Sequence, residues 1–334
     1  MKTALTGALA LALVLMIALP ARAAGDASGP TNASGTTNAP ETAKPKRPDA
    51  GKITVGFDYW DASGDAGFVV SGAIPEWGYW GRWRSQLEYE LDAQYNVFTI
   101  AYALPTPRVP LGFRVRYSTG DAEGLCIDTD WEHPADPSLW LKTESDAEAD
   151  SDIWSVDVGW WLSFGGSHPE RGIELFVGYW QHKADFVVNN IRLLEDPYDL
   201  YGGETYEGLV STWDLEVEAA RLGARTELPL VGRLSVAAEI AVLVGRAKGE
   251  GNWMLREYTF QQKSDGTGFD ALLTLRYAPV KNLAIELGGR FYEFNGGKGP
   301  GSGQQPDYEY TDEGIVDEIT VDQLGWFLGV SYTF

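Results

Sequence analysis

The sequence predicts an all-β chain, a ten-stranded antiparallel transmembrane β-barrel with short periplasmic turns and long extracellular loops. Three observations predict it: the pattern of the last eleven residues, the regular recurrence of strand-like stretches, and a composition both aromatic and acidic. In "LGWFLGVSYTF" the residues Leu324, Trp326, Leu328, Val330, Tyr332 and Phe334 are all large and apolar. Between them stand Gly325, Phe327, Gly329, Ser331 and Thr333. A strand sends these two sets to opposite faces. One large apolar face opposite a mostly small or polar one suits a strand between lipid and a barrel lumen. The terminal Phe334 also looks like the sorting signal of bacterial outer-membrane proteins.

The chain divides into three parts. Residues 1–23, with Lys2, an apolar core and Ala-Arg-Ala at 21–23, read as a Sec-type signal peptide. Residues 24–51 are rich in Gly, Ser, Thr, Pro and Asn without a large apolar residue. Such a segment buries too little to offset its ordering entropy and is expected to be a flexible leader. Residues 52–334 form the barrel. Strands are expected near 53–60, 85–104, 110–117, 153–162, 171–186, 213–226, 233–244, 259–277, 282–293 and 318–334. Their connections alternate short (105–109, 163–170, 227–232, 278–281) and long (61–84, 118–152, 187–212, 245–258, 294–317), as periplasmic turns and external loops do.

Parity within the strands assigns faces. Trp154, Val156, Val158, Trp160 and Leu162 are expected outward, with Ser155, Asp157 and Gly159 inward. Leu87, Tyr89 and Leu91 are expected outward and Glu88 and Glu90 inward; Arg114, Arg116, Glu286 and Arg290 also point in. The lumen then holds both charge signs, and ten strands enclose too little for a wide pore. Around "EAARLGART" (218–226) the apolar parity slips, which predicts a bulge.

Composition narrows the function. Beyond residue 23 there are 24 Lys and Arg against 48 Asp and Glu, a balance that argues against nucleic acid as a partner. The 13 Trp, 16 Tyr and 13 Phe suit interface girdles. Cys126 stands alone, so neither an internal disulfide nor a thiolate metal cluster is expected. No cofactor is implied.

One stretch raises a chemical question. "LCIDTDWEHPAD" (125–136) places Asp128 and Asp130 two residues apart in what reads as the second external loop. If the segment is extended, both carboxylates share a face toward the barrel axis. The rest of that loop, including "ESDAEADSD" (144–152), reads as solvated acid; a Ca²⁺ site is conceivable there from ligand chemistry, but no EF-hand spacing supports one, and no metal site is assigned.

On these residues the chain resembles the omptins, outer-membrane endopeptidases built as ten-strand barrels. The similarity runs collinearly through "SQLEYEL" (85–91), "IDTDWEH" (127–133), "VGYWQHKADF" (177–186) and "LTLRYAPVKNLAIELGGRFYEF" (273–294). The resemblance implies peptide hydrolysis beside basic residues at the external mouth, with an Asp pair facing an Asp-His pair across a water. Asp128 and Asp130 match the first pair. In "GRAKGEGNWMLREY" (245–258), Glu250 falls at the aspartate position and Asn252 at the histidine position, and Lys248 stands where the family has an acid. Asn accepts no proton, so general-base activation of water is lost there. The family's lipopolysaccharide-holding set, a Tyr-x-Glu-x-Arg pattern, is matched by Tyr179, Gln181 and Lys183, which share outward parity. The expectation is therefore a surface or interaction protein with an incomplete peptidase site, held in lipopolysaccharide and meeting cationic peptides or host surface proteins. The alternatives are an active endopeptidase, using Glu250 or His133 as base, and a narrow channel.

Overall fold

The computed structural model describes residues 51–73, 82–105, 110–131, 139–164, 172–196, 205–305 and 308–334. The predicted signal peptide and all but the last residue of the leader lie outside these, as do His133 and His168. The strands are β1 (Ile53–Ala73), β2 (Arg82–Ala103), β3 (Leu111–Trp131), β4 (Leu139–Ser163), β5 (Gly172–Glu195), β6 (Tyr206–Pro229), β7 (Leu234–Trp253), β8 (Tyr258–Val280), β9 (Leu283–Gly296), β10 (Gly299–Gln305) and β11 (Tyr308–Thr333). Neighbours pair antiparallel, and β1 pairs with β11 to close the ring. Both β9 and β10 lie between β8 and β11 and run the same way. They are two halves of one ninth strand, divided at Gly297 and Lys298, so the barrel wall is ten strands thick around its circumference as the sequence predicts.

The ladder is staggered. Walking from Tyr59 through Asn96, Thr119, Asp152, Lys183, Glu216 and Lys248 arrives at Lys263 of β8. Walking the other way, through Leu328 and Leu287, arrives at Leu275, a stagger of 12 residues. Closure with such a stagger requires strands tilted by roughly 35–45°.

Each predicted strand is present and longer than its apolar stretch. The long connections are built largely as sheet: residues 118–131 and 139–152, expected as loop, continue β3 and β4 as a paired ladder. The sequence signal for this is a second alternation of opposite polarity. In "ESDAEADSD" the acids Glu144, Asp146, Glu148, Asp150 and Asp152 face out while Ser145, Ala147, Ala149 and Ser151 are buried inside.

The same inversion runs around the barrel. Near the short-turn end the outer face is exposed and apolar, as at Phe57, Ile100, Val115, Val158, Val177 and Leu328, and the inner face is charged. Toward the loop end the outer face is polar and the inner face becomes an apolar core. This corrects two expectations. Leu87, Tyr89 and Leu91 are buried in the interior and Glu88 and Glu90 are exposed outside, because this part of β2 rises above the lipid-facing belt. The bulge expected at 218–226 is absent: the register is continuous from Glu218 to Arg225 against both β5 and β7. What slips there is polarity. Leu215, Val217 and Ala219 face a core, whereas Arg221 and Arg225, on the same inner face, enter a charged lumen.

Three levels of side chains project into that lumen. Nearest the short turns, Arg221 donates to Asp157 (2.7 Å), Glu239 (2.7 Å) and Asp270 (2.8 Å). Glu239 also receives Arg114 at 2.8 Å and lies 3.3 Å from Arg225. Above this, Trp60 stacks on Tyr95 at 4.9 Å, beside Trp180 and Tyr292. Above these again, Tyr89, Phe186, Trp213, Phe68 and Phe260 pack ring on ring.

Glu239 is the common acceptor of four arginines, so Glu239→Gln leaves buried guanidinium charge uncompensated. The variant is expected to lose about 3–5 kcal/mol of stability, read as a lower unfolding midpoint in urea by heat-modifiable gel migration.

Candidate functional site

The mouth is built on the rising parts of β2 to β8. Cys126, Asp128 and Asp130 alternate with Ile127 and Thr129 along β3 and share the inner face, as the sequence reading expects. Asp128 lies opposite Leu87 and Thr143 in the register, and Ser85 Oγ donates to its Oδ1 at 3.4 Å. Beneath it Cys126 and Tyr89 are buried against the aromatic core. Burial pushes the Cys126 thiol well above its ordinary range, and the nearby Asp128 carboxylate adds to this. Cys126 is thus held as an inert thiol.

The other half of the expected pair is not brought to this place. Along the part of β7 nearer the mouth, Leu243, Ala247 and Gly249 are buried, whereas Glu250 is exposed. Glu250 and Asn252 therefore share the outer face with Lys248, and Gly249 and Gly251 occupy the inner one. The space in front of those glycines is taken. A Cβ on Gly249 would lie 2.5 Å from Trp213 Nε1, and one on Gly251 only 2.1 Å from the Phe260 ring. The inner wall opposite Asp128 is aromatic. His182, the histidine among the described residues, lies deeper in the lumen, with Nε2 2.9 Å from Ser151 Oγ and Nδ1 3.5 Å from Tyr292 OH. Lys248, expected at the position of an acid in the mouth, instead faces outward.

That outer face carries two rows of charge. The lower row reads Asp152, Lys183, Glu216 and Lys248 on neighbouring strands, alternating in sign. Two residues higher, Asp121, Asp150, Asp185, Asp214 and Glu250 stand directly opposite one another across five strands. The Asp214 carboxyl is raised from its ordinary value, first by partial burial and then by Asp185 and Glu250. Among the described residues no three acids, histidines or cysteines converge to hold a metal ion; the acids of β4 stand in line.

The lower row is tied into the expected lipid-facing set. Tyr179 OH donates to Glu218 at 2.9 Å, and Gln181 Nε2 to Glu216 at 2.7 Å. Trp154 Nε1 donates to Gln181 Oε1. Lys183 Nζ lies 3.1 Å from Glu216, and Lys248 Nζ 3.2 and 3.0 Å from Glu216 and Glu218. The outward orientation of Tyr179, Gln181 and Lys183 was legible from strand parity. Glu216, Glu218, Lys248 and Trp154 were not, since only the ladder register places them alongside; the alternating outward acids of "WDLEVEAA" (213–220) were the available signal.

No protein-family model matches the chain, and no curated protein matches it in sequence. Among solved structures it is similar to the outer membrane protease OmpT from Escherichia coli, with 15% identity and a TM-score of 0.72, over 85% of this chain and 97% of that one. The chain has an outer-membrane β-barrel fold. Two further barrels share the likeness at lower scores. The translocator domain of the autotransporter NalP from Neisseria meningitidis matches at 10% identity and a TM-score of 0.39, over 85% of this chain and 89% of that one. A major outer membrane protein from Thermus thermophilus matches at 14% and 0.31, over 84% and 99%.

The upper acidic row of the barrel generates a pH-dependent prediction. The raised Asp214 means that ionisation destabilises the folded form, a cost absent at low pH and present once the carboxylate is charged. Asp214→Asn is expected to raise the thermal midpoint at pH 7, by about a few tenths of a kcal/mol after solvent screening. The gain should vanish as pH falls below the carboxylate range; thermal scans at pH 3.5 and pH 7 check both arms.

Proposed function

We propose that this chain is an omptin-like surface protein of the bacterial outer membrane whose peptidase site is incomplete. On this reading it works through its acidic outer end, as an interaction protein for cationic peptides or host surface proteins. The observation that carries the reading is the parity of β7. Asp128 and Asp130 face the mouth, but Glu250 and Asn252 face away from it, and the inward positions are glycines against Phe260 and Trp213. General-base catalysis needs a proton acceptor within hydrogen-bond reach of the water it activates. An Asp pair alone holds a water without the second wall to aim it.

Refolded protein in lipopolysaccharide is expected to leave a fluorogenic Lys- and Arg-containing peptide intact. The double change Glu250→Asp and Asn252→His is expected to stay silent too, because both side chains project outside the barrel. Cleavage by the wild type that disappears in Asp128→Ala would overturn this and favour the endopeptidase reading.

The same proposal places lipopolysaccharide against Tyr179, Gln181 and Lys183. Lys183 and Lys248 supply the cationic donors for a phosphate, and Glu216 and Glu218 hold both ammonium groups in position. Each lysine near an anionic lipid surface contributes on the order of 1 kcal/mol. The double variant Lys183→Ala and Lys248→Ala is expected to lose most of the thermal stabilisation that added lipopolysaccharide gives the wild type. An undiminished lipopolysaccharide shift in the double variant would remove the site.

A further inference from the structure

The interior below the ion network is not solid. A cavity of about 430 Å³ reaches Thr54, Pro229, Ser235 and Thr333 at the short-turn end, the end opposite the mouth. Its size falls within the range of small-molecule pockets, roughly 300–1,000 Å³. Its walls carry ten charged side chains, and most of them are already matched. Arg114, Arg116 and Arg225 are turned to Glu239, Arg225 also to Glu174, Arg276 to Glu227 and Glu286, and Arg290 to Asp270.

Asp58 is the exception: among the described residues the structure gives it neither a hydrogen bond nor an ion pair. Its position explains how it is held. Asp58 lies opposite Gly329, which lies opposite Glu286 on the next strand. A Cβ on Gly329 would stand 1.7 Å from Asp58 Oδ1. The carboxylate is therefore laid over the bare backbone of β11, toward Glu286, whose own Oε1 is held by Ser331 Oγ at 2.5 Å. Two carboxylates share a glycine-floored notch; Arg276 reaches the Glu286 side of it at 3.1 Å, and the Asp58 side receives no arginine hydrogen bond among the described residues. The remaining wall is mixed, with seven Ser and Thr hydroxyl side chains and an apolar part that includes Trp161, Val97, Leu272 and Phe327.

We propose that this cavity is a binding site for a small organic cation, an amine or amidine with a compact apolar body, entering from the short-turn end. The charge sits in the notch between Asp58 and Glu286, and the body lies against the aromatic and aliphatic wall. A bare metal ion fits less well, since Ca²⁺ takes 6–8 oxygens and the notch offers two carboxylates and a hydroxyl in a far larger space. A planar amidinium accepts a carboxylate through two parallel hydrogen bonds, the strong geometry for such pairs.

The test uses three probes of nearly equal shape and different charge: benzamidinium, benzamide and benzoate, titrated calorimetrically into the refolded full-length barrel in detergent. Benzamidinium is expected to bind saturably at one site, with benzamide and benzoate weaker by about tenfold or more. Asp58→Asn should weaken benzamidinium by a similar factor, and Ala101→Leu, which narrows the cavity without touching a charge, should weaken it too. Heat-modifiable migration confirms that each variant is folded. The double change Asp128→Asn and Asp130→Asn should leave the affinity unchanged, which separates this site from the mouth. Absence of saturable binding, equal binding of the neutral probe, or binding indifferent to both Asp58→Asn and Ala101→Leu would each overturn the proposal. So would a loss of affinity confined to the Asp128 and Asp130 variant.

Discussion

A side chain in a strand alternates faces every residue, whatever solvent lies outside. In this barrel the solvent changes partway up each strand, and the rest of the structure depends on that mismatch. Where lipid surrounds the wall, the outer set must be apolar and the inner set is left to carry polar groups. Where water surrounds it, the inner set alone can form a hydrophobic core. The strand β6 makes the change within a few residues, from Leu215 and Val217 inward to Leu222 outward. The period never breaks; the meaning of the two faces is exchanged.

The lower lumen follows from this constraint. With the apolar set committed to lipid, charged residues occupy the interior, and they remain there only if their desolvation is compensated. Arg221 makes three charge-assisted bonds and lies over the Phe176 ring, and Arg290 lies over Trp60 and Tyr292. Pairs of this kind are weak evidence for stability relative to an apolar filling. Here an apolar filling would give a strand with two greasy faces and no instruction about which one meets the lipid. The ion network thus fixes the register that the outer face alone leaves ambiguous.

Much of the fold was legible because the lipid-facing half of each strand obeys one polarity rule, as in Trp154 to Leu162 and Leu324 to Phe334. The misreadings all fall where the second rule applies. "SQLEYEL" was given the lipid-facing polarity and came out reversed, and "ESDAEADSD" looked like a solvated loop because its buried set is only Ala and Ser. At the site, Asp128 and Asp130 were legible because a two-residue spacing guarantees a shared face once the segment is extended. Glu250 and Asn252 have that same spacing and share a face as well, but the wrong one. A loop alignment carries no register, and one residue of slip moves every side chain through the wall. The glycines that actually face inward have no side chain to announce them.

The two outer rows show what this arrangement does at the boundary itself. Lysines enter only the lower row, where each is flanked by Glu216 or Glu218. A lysine there is held at the height where the apolar face ends. Two residues higher the row is entirely acidic, and mutual repulsion is tolerated because water and salt screen it. The outer face therefore passes from balanced to uniformly negative charge over about 7 Å, the rise of two residues along a strand. A partner approaching at the height of the upper row meets carboxylates on five neighbouring strands. On the proposed reading, that row favours cationic surfaces at this end of the barrel, whether or not any bond is cut there.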